Sequence, residues 1–175
     1  MRAMVRAYIA IGSNIDPAGH VRAAIRRLAH QAHLVGISTV YQTDALGRPE
    51  QSPYYNCIAE IETELPPLAL KQTILRPIED SLGRRRSADK YAPRTIDLDL
   101  IVYGDLVLHA DGLTLPDPEI NKRPFLAIPL FELAPDMVLA GCDRRIEEIA
   151  AKQPREGMRP LRGYTRALRR ECGRG

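Results

Sequence analysis

Residues 56–65 alternate without a break. Cys57, Ala59, Ile61, Thr63 and Leu65 fall on one side, and Glu60, Glu62 and Glu64 on the other. A period of two is the spacing of a β-strand, and one apolar and one charged side describe a half-buried antiparallel strand. Such a strand needs partners, and the sequence offers three. Residues 6–11 (Arg-Ala-Tyr-Ile-Ala-Ile) read as a buried first strand that ends at Gly12-Ser13-Asn14. Residues 34–42 are rich in Val, Ile and Thr, and residues 96–103 form a fourth apolar strand. Gly104-Asp105 then predicts a tight turn, with residues 106–109 returning as the hairpin partner of that strand.

Two helices separate these strands. Asp16-Pro17 marks a helix start, and Val21, Ala24, Ile25 and Leu28 recur at i, i+3, i+4 and i+7, so residues 17–32 are expected to be an amphipathic helix. Pro66-Pro67 opens a second, with Leu70, Ile74, Ile78 and Leu82 at i+4 spacing and Gly83 as its stop. Pro77 lies inside it and predicts a kink near residues 73–77. A further helical segment is expected near residues 125–133. The order is β-α-β-β-α-β, followed by a hairpin strand and a C-terminal helix. This is an α+β, ferredoxin-like arrangement with an extension. Two stretches, Asp44 to Pro53 and Arg84 to Pro93, are long, polar loops of the kind that often serve function.

Charge divides the chain. Residues 152–175 hold eight of its 25 Lys and Arg and two of its 22 Asp and Glu, which leaves residues 1–151 mildly acidic. That weakens a nucleic-acid reading of the body, which would need a basic face of its own. Gly157, Gly163, Gly173, Pro154 and Pro160 interrupt the tail, and its large apolar residues are few, so it is expected to be a loosely ordered extension of a domain spanning residues 1–151. No apolar run approaches the roughly 18 residues of a membrane span. The three cysteines are odd in number and form no CxxC pair, which suits reduced thiols in a cytoplasm.

The chemistry is concentrated in Pro93-Arg94-Thr95-Ile96-Asp97-Leu98-Asp99-Leu100. Carboxylates at i and i+2 on a strand share a face, with Cα atoms about 6.5–7 Å apart. On an otherwise apolar strand they repel one another and lose solvation. A pair of divalent cations removes both penalties, and hard oxygen ligands suit Mg²⁺ bridging to substrate phosphates. An edge strand that turns both carboxylates to solvent remains open on spacing alone. Arg84, Arg85 and Arg86 lie in the loop before the pair, and Arg94 and Arg123 flank it. Guanidinium groups fork onto phosphate and stabilise charge in phosphoryl transfer. No GxxxxGK[ST] occurs, so the chain is not a P-loop protein. The four His show no paired metal spacing, and Ser13 and Cys57 have no evident catalytic partners.

These residues resemble the 6-hydroxymethyl-7,8-dihydropterin pyrophosphokinase family of folate biosynthesis. Tyr8-Ile9-Ala10-Ile11-Gly12-Ser13-Asn14 is similar to that family's first strand and turn. Tyr41-Gln42-Thr43 with Leu46-Gly47, followed by Tyr54-Tyr55-Asn56, is similar to its pterin loop. Leu82-Gly83-Arg84 and the segment from Pro93 to Leu100 resemble its catalytic loop and metal strand. Asn121-Lys122-Arg123-Pro124-Phe125 and Pro129 to Pro135 resemble its closing segment. The resemblance spans roughly residues 6–140. It implies transfer of pyrophosphate from ATP to the pterin hydroxymethyl group. On that resemblance Asp97 and Asp99 hold two Mg²⁺, and Arg84 and Arg94 steady the transferred charge. Thr43, Leu46 and Asn56 read the pterin edge, while Tyr54 and Phe125 sandwich its ring. Glu79, Arg86, Tyr91, Leu100, Thr114 and Arg123 line the ATP side. The expected partners are these small molecules, with no nucleic acid or membrane, and the chain is expected to act as a monomer, with a dimer as the alternative.

The sequence departs from that pattern at Pro116-Asp117-Pro118, where the family usually carries a His, and at Asp44-Ala45, where a Pro pair is frequent. Asp117 motivates a second reading, a pterin- and nucleotide-binding paralogue with weak or no turnover. A third, binding of an anionic partner through the tail, has the acidic body against it.

Overall fold

The computed structural model describes residues 2–110 and 112–173; Met1, Asp111 and, from the expected tail, Arg174 and Gly175 lie outside them. Strand β1 (Val5–Ser13) is central, with β4 (Tyr54–Thr63) antiparallel on one side and β5 (Asp97–Tyr103) antiparallel on the other. The segment read as one strand over residues 34–42 is two, β2 (His33–Ile37) and β3 (Tyr41–Thr43), each antiparallel to β4. Its break at residues 38–40 is filled by a side chain: Ser38 Oγ accepts from the Ile58 amide at 2.8 Å, and the Ser38 amide donates to the Ile58 carbonyl at 2.9 Å.

Both faces of this sheet are covered. Ala7, Ile9, Ile11, Cys57, Ala59, Ile61, Leu98 and Leu100 form one core with α1 (Pro17–Gln31), α2 (Pro67–Leu70) and α3 (Arg76–Ser81). Tyr8, Tyr41, Ile58 and Ile101 face the other way, against α4 (Pro124–Leu133) and α5 (Ile146–Ala151). β4 is therefore not half-buried along its whole length. Ile58 and Glu60 lie under α4's side of the sheet, and Glu60 is 5% exposed. A carboxylate survives there because Arg6 donates to it at 3.0 Å and the Tyr8 hydroxyl at 3.2 Å. The burial of Tyr8 itself, then the charge of Glu60, raise the Tyr8 pKa to about 12.

The expected kink near Pro77 is a π-helical turn at Lys71–Leu75, between α2 and α3, where the Arg76 amide donates to the Lys71 carbonyl five residues back. The wider turn spares the ring of Pro77 the clash that an unbroken α-helix would impose. The hairpin expectation is corrected. The turn at Gly104-Asp105 forms, but residues 106–109 do not pair with β5; β6 (Leu108–Ala110) pairs instead with β7 (Leu113–Leu115) as a separate two-stranded unit. A small ladder of β8 (Val138–Leu139) and β9 (Arg144–Arg145) follows α4.

The tail expectation is overturned most clearly. β10 (Arg159–Pro160) joins the sheet beside β3, and α6 (Arg162–Cys172) packs into the first core with Leu168 fully buried. Leu161, Tyr164, Leu168 and Cys172 recur at helical spacing, and the charges between them hid a short amphipathic face from a count of apolar residues. No helix among the described residues is long and apolar enough to cross a membrane. We predict that Leu168→Ala costs about 2–5 kcal/mol in urea unfolding, the range for truncating a buried leucine. A loosely held tail would make the change nearly silent.

Candidate active site

One row of side chains crosses the sheet on the α4 side. Tyr41 pairs with Asn56, Asn56 with Gly12, and Gly12 with Asp97. The next row along β1 brings Ile58, Ala10 and Asp99 together. Directly opposed residues on antiparallel strands point to the same face, so the two aspartates look over the two smallest positions of the central strand. A Cβ at Gly12 would meet Asn56 Oδ1 at 3.0 Å. The absent side chain leaves a floor on which nothing else can pack, and α4 covers the sheet only beyond it.

The result is a cavity of about 340 Å³, a size suited to a small organic ligand. Of the residues singled out in the sequence, Thr43, Leu46, Tyr54, Asn56, Tyr91, Arg94, Asp97, Asp99, Arg123 and Phe125 line it. Five others do not. Glu79 is buried on α3 and accepts from the Leu98 amide at 2.8 Å, which closes the open edge of β5. Arg86 pairs with Glu79 at 2.9 Å and with Asp80 at 3.0 Å. Leu100 points into the opposite core, as its parity with Leu98 requires. Thr114 lies on the β6–β7 hairpin and is exposed. Arg84 lies outside the lining, yet its charge and that of Arg94 draw down the Tyr54 pKa, which burial raises.

The polar contacts inside the cavity are specific. The Thr43 hydroxyl accepts from the Asn56 amide nitrogen at 2.7 Å. That bond fixes the Asn56 amide with its oxygen over Gly12. Arg94 donates to Asp97 at 2.7 Å and Arg123 to Glu119 at 2.8 Å. Asp117 accepts from the Glu119 amide at 2.9 Å and caps a 3₁₀ turn. Asp99 is open to solvent in the cavity, yet the protein packed around it, then the carboxylates of Asp97, Glu79 and Asp117, raise its pKa, and Arg94 offsets part of this.

Asn14 escaped the sequence reading as a functional residue. It is buried, and its amide oxygen accepts from the Arg94 backbone at 2.8 Å while its nitrogen donates to Gln51 at 3.2 Å. It thus holds the ends of both long loops. Further contacts between the loops run from Arg48 to Asp89 at 2.8 Å and from Gln51 to the Tyr91 carbonyl at 2.8 Å, and both are exposed. Exposed contacts of this kind are weak, so the loops can part without large cost. Gly12-Ser13-Asn14 reads in the sequence as a turn, and only its register against Arg94 discloses the other role.

The lining carries Asp44, Asp97, Asp99, Asp117 and Glu119 against Lys90, Arg94 and Arg123. This acidic excess suits a cation. No group of three or more His, Cys, Asp or Glu is gathered as a cage among the described residues. Two carboxylates on one face therefore supply part of a coordination shell and leave the rest to water and substrate oxygens, as Mg²⁺ prefers. Asp97 and Asp99 fit that group.

The sequence pattern of the family 7,8-dihydro-6-hydroxymethylpterin-pyrophosphokinase (HPPK) matches residues 8–135. The chain belongs to that family. It is 40% identical over 139 residues to the 2-amino-4-hydroxy-6-hydroxymethyldihydropteridine pyrophosphokinase of Haemophilus influenzae, covering 78% of this chain and 86% of that one. It is 35% identical over 161 residues to the protein of the same name from Pseudomonas aeruginosa, covering 90% and 98%. Its fold is similar to that of wild-type HPPK-DHPS of Plasmodium falciparum, solved with pterin and p-hydroxybenzoate. That match has a TM-score of 0.65 at 11% identity and covers 86% of this chain but 42% of the other.

The electrostatics of this HPPK site give a test that needs no turnover. Asp99→Asn removes one of several mutually repelling carboxylates. It should raise stability in EDTA by about 0.2–1 kcal/mol, the scale of an interaction between exposed charges. Added Mg²⁺ should raise the melting temperature of the unaltered protein and not of the variant. Paired thermal melts with EDTA and Mg²⁺ check both.

Proposed function

We propose that this HPPK chain transfers pyrophosphate from ATP to the hydroxymethyl group of 6-hydroxymethyl-7,8-dihydropterin, giving the pterin diphosphate and AMP in folate biosynthesis. The observation that carries the reading is the pairing of an apolar, amide-lined half with a two-carboxylate half in one cavity. Tyr54, Phe125, Leu46 and Leu126 line it beside Asn56 and Thr43, with Asp97, Asp99, Arg94 and Arg123 alongside. A flat heterocycle suits the first half. The fixed Asn56 oxygen accepts from its ring N–H and amino donors, and Tyr54 and Phe125 offer it their faces.

The reaction is an in-line attack of the hydroxymethyl oxygen on the β-phosphorus of ATP. The new bond is O–P, the broken ones are the hydroxyl O–H and the bridge between the β-phosphorus and the oxygen that stays on AMP; AMP leaves with that electron pair, and the proton passes to water. Little covalent chemistry falls to the protein; positioning and charge stabilisation do the work. Mg²⁺ ions, two in our reading, would be held by Asp97 and Asp99 and would neutralise triphosphate charge. Without cations the acidic lining repels ATP. Arg94 holds Asp97 and stands where charge builds on the transferred group. Asn14 sets the Arg94 backbone, and the two loops exclude water once they close over the substrates.

We assign Arg84 to the transferred group as well, and Glu79, Arg86, Leu100 and Thr114 to the ATP side with Tyr91 and Arg123. For Leu100 the parity of β5 restricts that role to its backbone. We also read the sheet order β5-β1-β4, with β2 and β3 both beyond β4 and β10 added outside β3, all antiparallel, as the ferredoxin-like arrangement with an extension. In our reading residues 1–151 carry all the site residues, and the chain acts on small molecules as a cytoplasmic monomer. The lining residues run from Ala10 to Leu126, which supports placing the site within residues 1–151.

An assay of AMP release from ATP and 6-hydroxymethyl-7,8-dihydropterin tests the assignment. Asp97→Ala and Asp99→Ala should each abolish turnover at saturating Mg²⁺. Arg94→Ala should lower kcat by roughly 10²–10⁴, the cost of removing a charge-stabilising donor. A rise in the KM for ATP alone would make Arg94 a ground-state contact instead.

A further inference from the structure

β3 is three residues long, and it presents Thr43 to the cavity. A strand this short has little strength of its own. Its inner neighbour is β4; its outer neighbour is β10, where Arg159 pairs with Gln42 and Pro160 with Tyr41. The residue before it, Val40, is fully buried at the break between β2 and β3. Both of its backbone polar groups are satisfied by the C-terminal segment. The Val40 amide donates to Thr165 Oγ1 at 2.9 Å, and the Val40 carbonyl accepts from the Leu161 amide at 2.8 Å. Thr165 Oγ1 spends its own proton on the Leu161 carbonyl at 2.9 Å, so it has one orientation. The other end of the break is held too, since Arg169 Nε donates to the Ile37 carbonyl at 3.0 Å.

The same helix reaches the strand on the far side of the Thr43–Asn56 pair. The Tyr164 ring meets Tyr55 edge-on at 5.5 Å, and its hydroxyl donates to the Ala18 carbonyl at 2.6 Å. Tyr55 lies between Tyr54 and Asn56, both of which line the cavity. The C-terminal segment therefore touches β3 and β4 immediately behind the residues that meet the ligand, and it touches neither Asp97 nor Asp99.

We propose that residues 159–172 are a positioning clamp, with Thr165 at its centre, that holds β3 so that the Thr43–Asn56 pair is set for the heterocycle before it arrives. The proposal rests on the pterin reading above. Thr165 contacts no substrate; it acts through Val40 and β3. Loosening it leaves the carboxylate half of the cavity untouched and costs the pterin half its preorganisation.

Thr165→Val keeps the shape and removes the acceptor, so the Val40 amide loses its partner. Hydrogen exchange on the ligand-free protein should show Tyr41 to Thr43 opening about tenfold or more faster, the scale set by an orphaned buried donor. Protection across β1 and the centre of β4 should be retained. In the AMP-release assay the KM for the pterin should rise roughly five- to thirtyfold by the same scale, with the KM for ATP within about twofold. Thr165→Ser restores the acceptor and should restore both. Should Thr165→Val not fold, Arg169→Gln probes the same break from an exposed position, and a smaller change confined to β3 and the pterin KM is expected. Exchange that rises evenly over the whole sheet, or KM values that move together, overturns the clamp. Localised exchange in the variant with no pterin uptake by the unaltered protein overturns the pocket assignment instead and leaves the hold on β3 standing.

Discussion

Gly12 stands opposite both Asn56 and Asp97, and the rest of the site follows from that register. A strand repeats every two residues, so sliding β1 by one position would turn Ile11 toward the cavity and carry Gly12 into the core. In the register observed, Ala10 and Gly12 give the α4 side of the sheet two side chains too small to fill the space above them. Ile9 and Ile11 fill the opposite core. One strand thereby seals one face and leaves the other open. The cavity is a deliberate gap in packing rather than a groove between domains.

That gap is lined by carboxylates, which makes it unstable ground for a protein alone. Asp97 has Arg94 as a partner, whereas Asp99 faces Asp97, Glu79 and Asp117 as like charges. Asp99 would be easier to hold protonated or replaced. The retention of these carboxylates is intelligible if cations and phosphates complete the charge balance, because the repulsion in the empty site then becomes affinity for metal in the filled one. Asp117 adds to the acidic side where an imidazole would not. Its cap on the turn at residues 118–121 gives it a structural role as well.

The edges of the sheet are managed by different means. At β5 the Glu79 carboxylate accepts from Leu98, and the Asp117 amide donates to the Ile101 carbonyl at 2.8 Å. At β3 the cover is β10 and α6. Open edges invite foreign strands, and covering them with the chain's own segments removes that hazard. Here the covers also lie close to the site: Asp117 lines the cavity, and Glu79, β10 and α6 touch the strands that do. The basic tail is thus part of the sheet, and its charges are what remains outside after Leu161, Thr165 and Leu168 turn inward.

The sequence alone disclosed β1, β4, β5, α1 and the helical stretch over residues 67–81, because periods of two and of 3.6 are local. It also disclosed the carboxylate pair, because i and i+2 on a strand share a face whatever the strand packs against. Family motifs extended this to Thr43, Asn56, Tyr54, Phe125, Arg94 and Arg123, and the fold brings these together around one cavity. It did not disclose that Glu60 is buried, that residues 108–115 pair with themselves, or that Asn14 ties two loops together. Nor did it disclose that residues 159–172 complete the sheet. Three of these depend on a partner far away in the chain: Arg6 for Glu60, Arg94 for Asn14, Val40 for Thr165. Whether a polar residue faces water or a buried donor is decided by what is packed over it, and only the tertiary structure puts that neighbour in place.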